Sequence, residues 1–98
     1  MDALKTTPVQ FRILKGEVIA VFPYYIEGVN CVTCYSHVGQ HSACKWNINT
    51  FTKPAKPDQY EPLLAELKSV GYDNIAILKR RNHKTYLAWY KDWLSFTD

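Results

Sequence analysis

The run Val18-Ile19-Ala20-Val21-Phe22 is apolar at every position, and it constrains the fold more than any other stretch of the chain. A strand with one wet face alternates apolar and polar side chains. An unbroken apolar run therefore belongs to a strand that is central in its sheet or covered on both faces. Residues 11–14 form another strand-like run just before it, separated by Lys15-Gly16-Glu17. Glycine takes the positive φ that tight hairpin turns require, so the sequence predicts a β-hairpin turning at Gly16. Pro23 lacks an amide donor and is expected to end the second strand, with residues 24–30 as a loop.

Residues 31–38, Cys-Val-Thr-Cys-Tyr-Ser-His-Val, read as a third strand on β propensity. Strand alternation puts Cys31, Thr33, Tyr35 and His37 on one face and Val32, Cys34, Ser36 and Val38 on the other. Residues 39–49 look irregular, and Pro54 and Pro57 impose an extended lead into the next element. That element is a helix over residues 58–70. Tyr60, Leu64 and Leu67, with Leu63 and Val70 beside them, make a helical apolar stripe; Asp58 and Glu61 have capping-box spacing; Pro62 falls in the first turn, and Gly71 suits the C-terminal cap. Residues 75–79 read as a fourth strand, followed by the basic turn Lys79-Arg80-Arg81-Asn82-His83-Lys84. In the tail, Tyr86, Trp89, Tyr90 and Trp93 recur at helical spacing, although residues 85–90 also fit a hairpin partner of 75–79; helix is the preferred reading.

These elements predict an α+β domain. It is a small antiparallel sheet of about four strands in the order β-β-β-α-β, with helix 58–70 packed on one face in two layers, and a C-terminal helix. A chain of 98 residues has the size of one domain, residues 1–98, with 1–9 as a flexible lead-in. With 14% aromatic residues it carries enough apolar area to offset chain entropy. The N-terminus lacks an apolar signal-peptide region, and no apolar run is long enough to span a bilayer, so the expected location is cytoplasmic. The three cysteines are expected to be reduced thiols there.

The segment from Cys31 to Cys44 holds Cys31, Cys34, His37, His41 and Cys44, all potential zinc ligands. Strand alternation separates Cys31 from Cys34, and a zinc knuckle needs a turn at that spacing. The cysteines are therefore read as small buried apolar residues, and no metal or cofactor is expected. The stretch His37-Val38-Gly39-Gln40-His41-Ser42 brings two imidazoles, an amide and a hydroxyl to a glycine turn. Such a turn suits recognition of a phosphate, a carboxylate or a partner's backbone. Tyr35, His37, Gly39, Gln40, His41 and Ser42 are the candidate binding residues. Two alternatives are that these groups only hold the loop, or that His37 and His41 perform acid-base catalysis.

A net charge of +3 is mild for a nucleic-acid binder. Lys79, Arg80, Arg81 and Lys84, followed by Trp89, Tyr90, Trp93 and Phe96, still make a basic and aromatic combination able to grip a single strand. The structural alternative is a solvated turn ahead of core aromatics. No phosphate-binding Gly-x4-Gly-Lys loop, Gly-x-Gly-x2-Gly turn, Gly-x-Ser-x-Gly elbow or His-Glu-x2-His helix occurs.

Several segments together resemble a group of small proteins of bacteria, their mobile elements and phages, for which no activity is known. They are Phe22-Pro23, Tyr35-Ser36-His37-Val38-Gly39-Gln40-His41-Ser42, Thr52-Lys53-Pro54-Ala55, Tyr60 with Leu63-Leu64-x-Glu66-Leu67, and Gly71-Tyr72. The likeness covers most of residues 11–81; the cysteines and the tail from Lys84 lie outside it. The resemblance implies an accessory protein that binds and blocks a host protein or a small nucleotide signal, acting in the host cytoplasm if phage-encoded. A homo-oligomer is compatible with all of these readings.

Overall fold

A computed structural model describes residues 6–36, 40–45, 47–50 and 52–97. The chain forms strands β1 (Thr7–Leu14), β2 (Glu17–Gly28), β3 (Cys31–Ser36) and β4 (Gln40–Lys45), then a 3-10 turn (Ile48–Thr50) and the short strand β5 (Lys53–Pro54). Helix α1 (Pro57–Ser69), strand β6 (Ile75–Ile77) and helix α2 (His83–Thr97) follow. The class is α+β, with a six-stranded sheet ordered β4-β3-β2-β1-β5 and β6 also on β1. Its pairings are antiparallel except β1 with β6.

The hairpin at Gly16 forms as expected. Leu14 pairs with Glu17, and the two-residue turn has φ of 51° at Lys15 and 83° at Gly16, the left-handed pair of a primed turn. β2 is central, and its apolar run is divided between two cores. Ala20 and Phe22 enter one with Val9, Phe11, Tyr35, Leu63 and Leu67. Ile19 and Val21 enter the other with Tyr24, Val32, Ile48 and Tyr86. α1 covers the first face, while α2 and the 3-10 turn cover the second. The expected two-layer domain is therefore a three-layer one, because an apolar run of this kind needs a cover on each side.

Four local expectations change. Pro23 does not end β2: pairing with β3 passes from Phe22↔Thr33 to Ile26↔Val32 through a register shift, and this bulge accommodates the missing amide. Residues 24–28 are thus strand. The segment expected to be irregular contains β4, paired with β3 from Cys31↔Lys45 to Ser36↔Gln40. Order begins by Thr7, because β6 pairs with Thr7, Pro8 and Val9, and Val9 is completely buried.

The cap of α1 also shifts. Lys56 is the N-cap residue, and its amide donates to Oε1 of Gln59 at 2.9 Å, so Asp58 and Glu61 lie inside the helix. Pro62 sits within the helix, beyond the first turn, where it leaves the carbonyl of the exposed Asp58 without its helical donor. At the other end the Tyr72 amide donates to Leu67 O at 3.1 Å and the Gly71 amide to Lys68 O at 3.2 Å. With φ of 117° at Gly71, this is a Schellman-type closure. The tail is the preferred helix, capped by Asn82, whose Oδ1 accepts from the Thr85 amide at 3.1 Å. No described helix is long and apolar enough to cross a membrane.

Candidate functional site

Tyr35 and His41 face each other across the β3–β4 pair. Tyr35 is buried under α1, where its hydroxyl donates to Oε2 of Glu66 at 2.5 Å. The His41 imidazole meets the Tyr35 ring edge-on, with centroids 4.8 Å apart and planes at 75°. His41 itself is exposed, and its Nε2 shares a 2.8 Å hydrogen bond with the Tyr72 hydroxyl. The Schellman closure delivers Tyr72 to this point, and the Tyr72 ring stacks on Phe22 with centroids 5.3 Å apart. Burial, reinforced by nearby Tyr25, pushes the Tyr72 phenol up from its ordinary value, so it stays protonated at neutral pH. Two strands, α1 and the turn after it thus hold one solvent-facing imidazole in place.

Tyr35 and His41 are brought together as candidate site residues, and Ser42 is separated from them. Strand alternation sends Ser42 to the opposite face, where its Oγ lies 3.4 Å from the Sγ of Cys34. Gln40 begins β4 opposite Ser36. His37 and Gly39 lie outside the described residues. Glu66 and Tyr72 join the site although the sequence reading does not single them out for it. Both belong to the segments that carry the resemblance, and the helix register of Glu66 beside Leu63 and Leu67 is the only local signal.

Cys34 and Cys44 share the Ser42 face, and Cys31 alternates to the other. The Cys44 thiol donates toward Cys34 and pulls it down to about 6, against the opposing effect of burial. Cys44 is correspondingly pushed up. The two thiols behave as a pair that gives up its first proton easily and its second reluctantly. Among the described residues, no three His, Cys, Asp or Glu side chains gather as metal ligands would.

The basic turn divides in the same way. Lys79, Arg80 and Lys84 are exposed, whereas Arg81 is half-buried with its guanidinium 4.5 Å from the centroid of the Tyr86 ring. Desolvation lowers the Arg81 pKa. Tyr86 is a core residue, and Trp89 packs against the same core, so these two aromatics anchor α2 to the sheet. Tyr90 and Trp93 stack along the helix with centroids 5.8 Å apart. The four cations therefore differ in exposure, and Arg81 ties the turn to α2.

No protein-family model, curated protein or solved structure matches the chain.

Proposed function

We propose that the protein is a non-enzymatic binding protein that recognises a partner protein through the β3–β4 hairpin and acts by covering a surface of that partner. The observation that carries this reading is the position of β4 at the end of the sheet, with His41, Ser42, Ala43 and Lys45 all exposed. Among the described residues no strand pairs with its outer side. An open edge presents backbone donors and acceptors that a partner strand can complete, and its alternating side chains supply specificity. His41 is held there by Tyr72 and Tyr35, which favours a fixed recognition group over one that must move with a reacting substrate. A host protein is the partner class in keeping with the resemblance to small phage and mobile-element proteins.

Affinity purification from cells, comparing wild type with His41→Ala, Ala43→Arg and the distant control Lys79→Met, tests the reading. One defined protein should be retained by wild type and by Lys79→Met and lost by both hairpin variants, all four remaining folded by circular dichroism. Retention by folded hairpin variants removes the hairpin as the binding element.

A further inference from the structure

We propose that the groove between β5, the start of α1 and β6 binds a small planar aromatic anion of the mononucleotide kind. This site is separate from the hairpin and does not depend on it. The groove exists because two strands share the outer edge of β1. β6 runs parallel to it at Thr7, Pro8 and Val9, while β5 runs antiparallel at Arg12 and Ile13. Where the two part, a cavity of about 310 Å³ opens, which is the size of a small-ligand site.

The walls are fixed without any ligand. On the β5 side, the Ala55 amide donates to Phe11 O at 3.0 Å, and on the β6 side the Leu78 amide donates to Val9 O at 2.8 Å. Nε2 of Gln10, a side chain 1% exposed, donates to Lys79 O at 3.3 Å and so fixes the main chain that carries the lysine. A preformed site avoids most of the ordering cost of binding.

The lining specifies the ligand class. Phe11 and Tyr60 stack with centroids 4.5 Å apart and planes within 11°, forming an aromatic base. Pro54 and Pro57 border one side, and Ile77 borders another while 43% exposed, so apolar surface lies open to cover. Rigid, flat apolar walls favour a planar ring over a flexible chain. Lys79 is the one charged residue of the lining, and the exposed Arg80 follows it. Asp58 and Glu61, on the nearby turns of α1, do not line the cavity. The Lys79 ammonium complements a phosphate carried by the ring.

The test is a calorimetric or NMR titration of the full chain with adenosine monophosphate, adenosine and inorganic phosphate separately. Adenosine monophosphate should bind at one site per chain, about tenfold more tightly than adenosine, with no saturable binding of phosphate alone. Lys79→Met should reduce the monophosphate to the affinity of adenosine. Ile77→Trp, which puts an indole beside the groove at an exposed position, should weaken both. His41→Ala should change neither, which separates this site from the hairpin. The proposal is overturned if the monophosphate shows no saturation at millimolar concentration, if phosphate alone binds equally well, or if folded Lys79→Met and Ile77→Trp bind as wild type does.

Discussion

The hydroxyl of Tyr35, on a residue 1% exposed in β3, donates to Oε2 of Glu66 on α1 at 2.5 Å and so ties the sheet to its covering helix. Hydrogen bonds to charged groups contribute more than neutral ones, and part of the gain here is screened because Glu66 is only half-buried. Tyr35→Phe is expected to lower stability by about 1–2 kcal/mol in urea unfolding. In a double-mutant cycle with Glu66→Gln, the two losses should be non-additive, with a coupling of about 0.5–2 kcal/mol between the hydroxyl and the carboxylate. Full additivity would show that the two groups do not depend on each other.

Leu67 is completely buried between α1 and the sheet, whereas Leu64 is half-buried at the edge of the same core. The apolar stripe alone ranks the two equally. Removing a buried leucine side chain loses its transfer energy and leaves a cavity, so Leu67→Ala should cost about 2–5 kcal/mol, with Leu64→Ala clearly less. Equal losses would mean that Leu64 is as enclosed as Leu67.

What was legible in the chain is what burial or backbone geometry writes locally. The run at 18–22 required a covered central strand, and Gly16 and Gly71 marked a turn and a cap where φ is indeed positive. β4 escaped because Gln40-His41-Ser42-Ala43-Cys44-Lys45 is an edge strand with most side chains in water, so burial imposes little apolar alternation on it. Pro23 misled because a bulge accommodates its missing amide. In the site, alternation puts Tyr35 on the face that His41 also occupies, whereas the opposite placement of Ser42 follows from the β3–β4 pairing, which residues 39–49 do not signal locally. Glu66 and Tyr72 join the site through contacts made 31 positions away in the chain, which no local pattern encodes.

The thiol pair gives stability a specific pH dependence. Cys34 in the fold is pulled down to about 6, below the ordinary thiol value of about 8.5, so the unfolded chain binds more protons between these values. Its contribution is present above the ordinary value and is lost as pH falls through about 6. Cys44 is pushed up, so its contribution is present below the ordinary thiol value and is lost as pH rises through its higher folded value. Urea midpoints of wild type should rise from pH 6 toward about 8.5 and then fall, relative to Cys44→Ala, which removes the donor. Parallel profiles for the two proteins would show that the thiols do not interact in this way.

The pairing of His41 with Tyr72 separates recognition from scaffolding. His41 is exposed, so His41→Ala loses one hydrogen bond at the surface and an edge contact with Tyr35, and the half-buried Tyr72 carries the hydroxyl left behind. The expected cost is within about 1 kcal/mol. Tyr72→Phe keeps the stack on Phe22 while removing the hydroxyl, so its cost should be similarly small. If the imidazole recognises a partner, both substitutions weaken binding in folded protein: the first by removing the group, the second by releasing it from its fixed orientation. A purely structural imidazole predicts the reverse, with stability falling by several kcal/mol and binding reduced only in proportion to unfolding. Urea melts combined with titration of the captured partner distinguish the two outcomes, and unchanged binding by both folded variants would exclude His41 from the recognition surface.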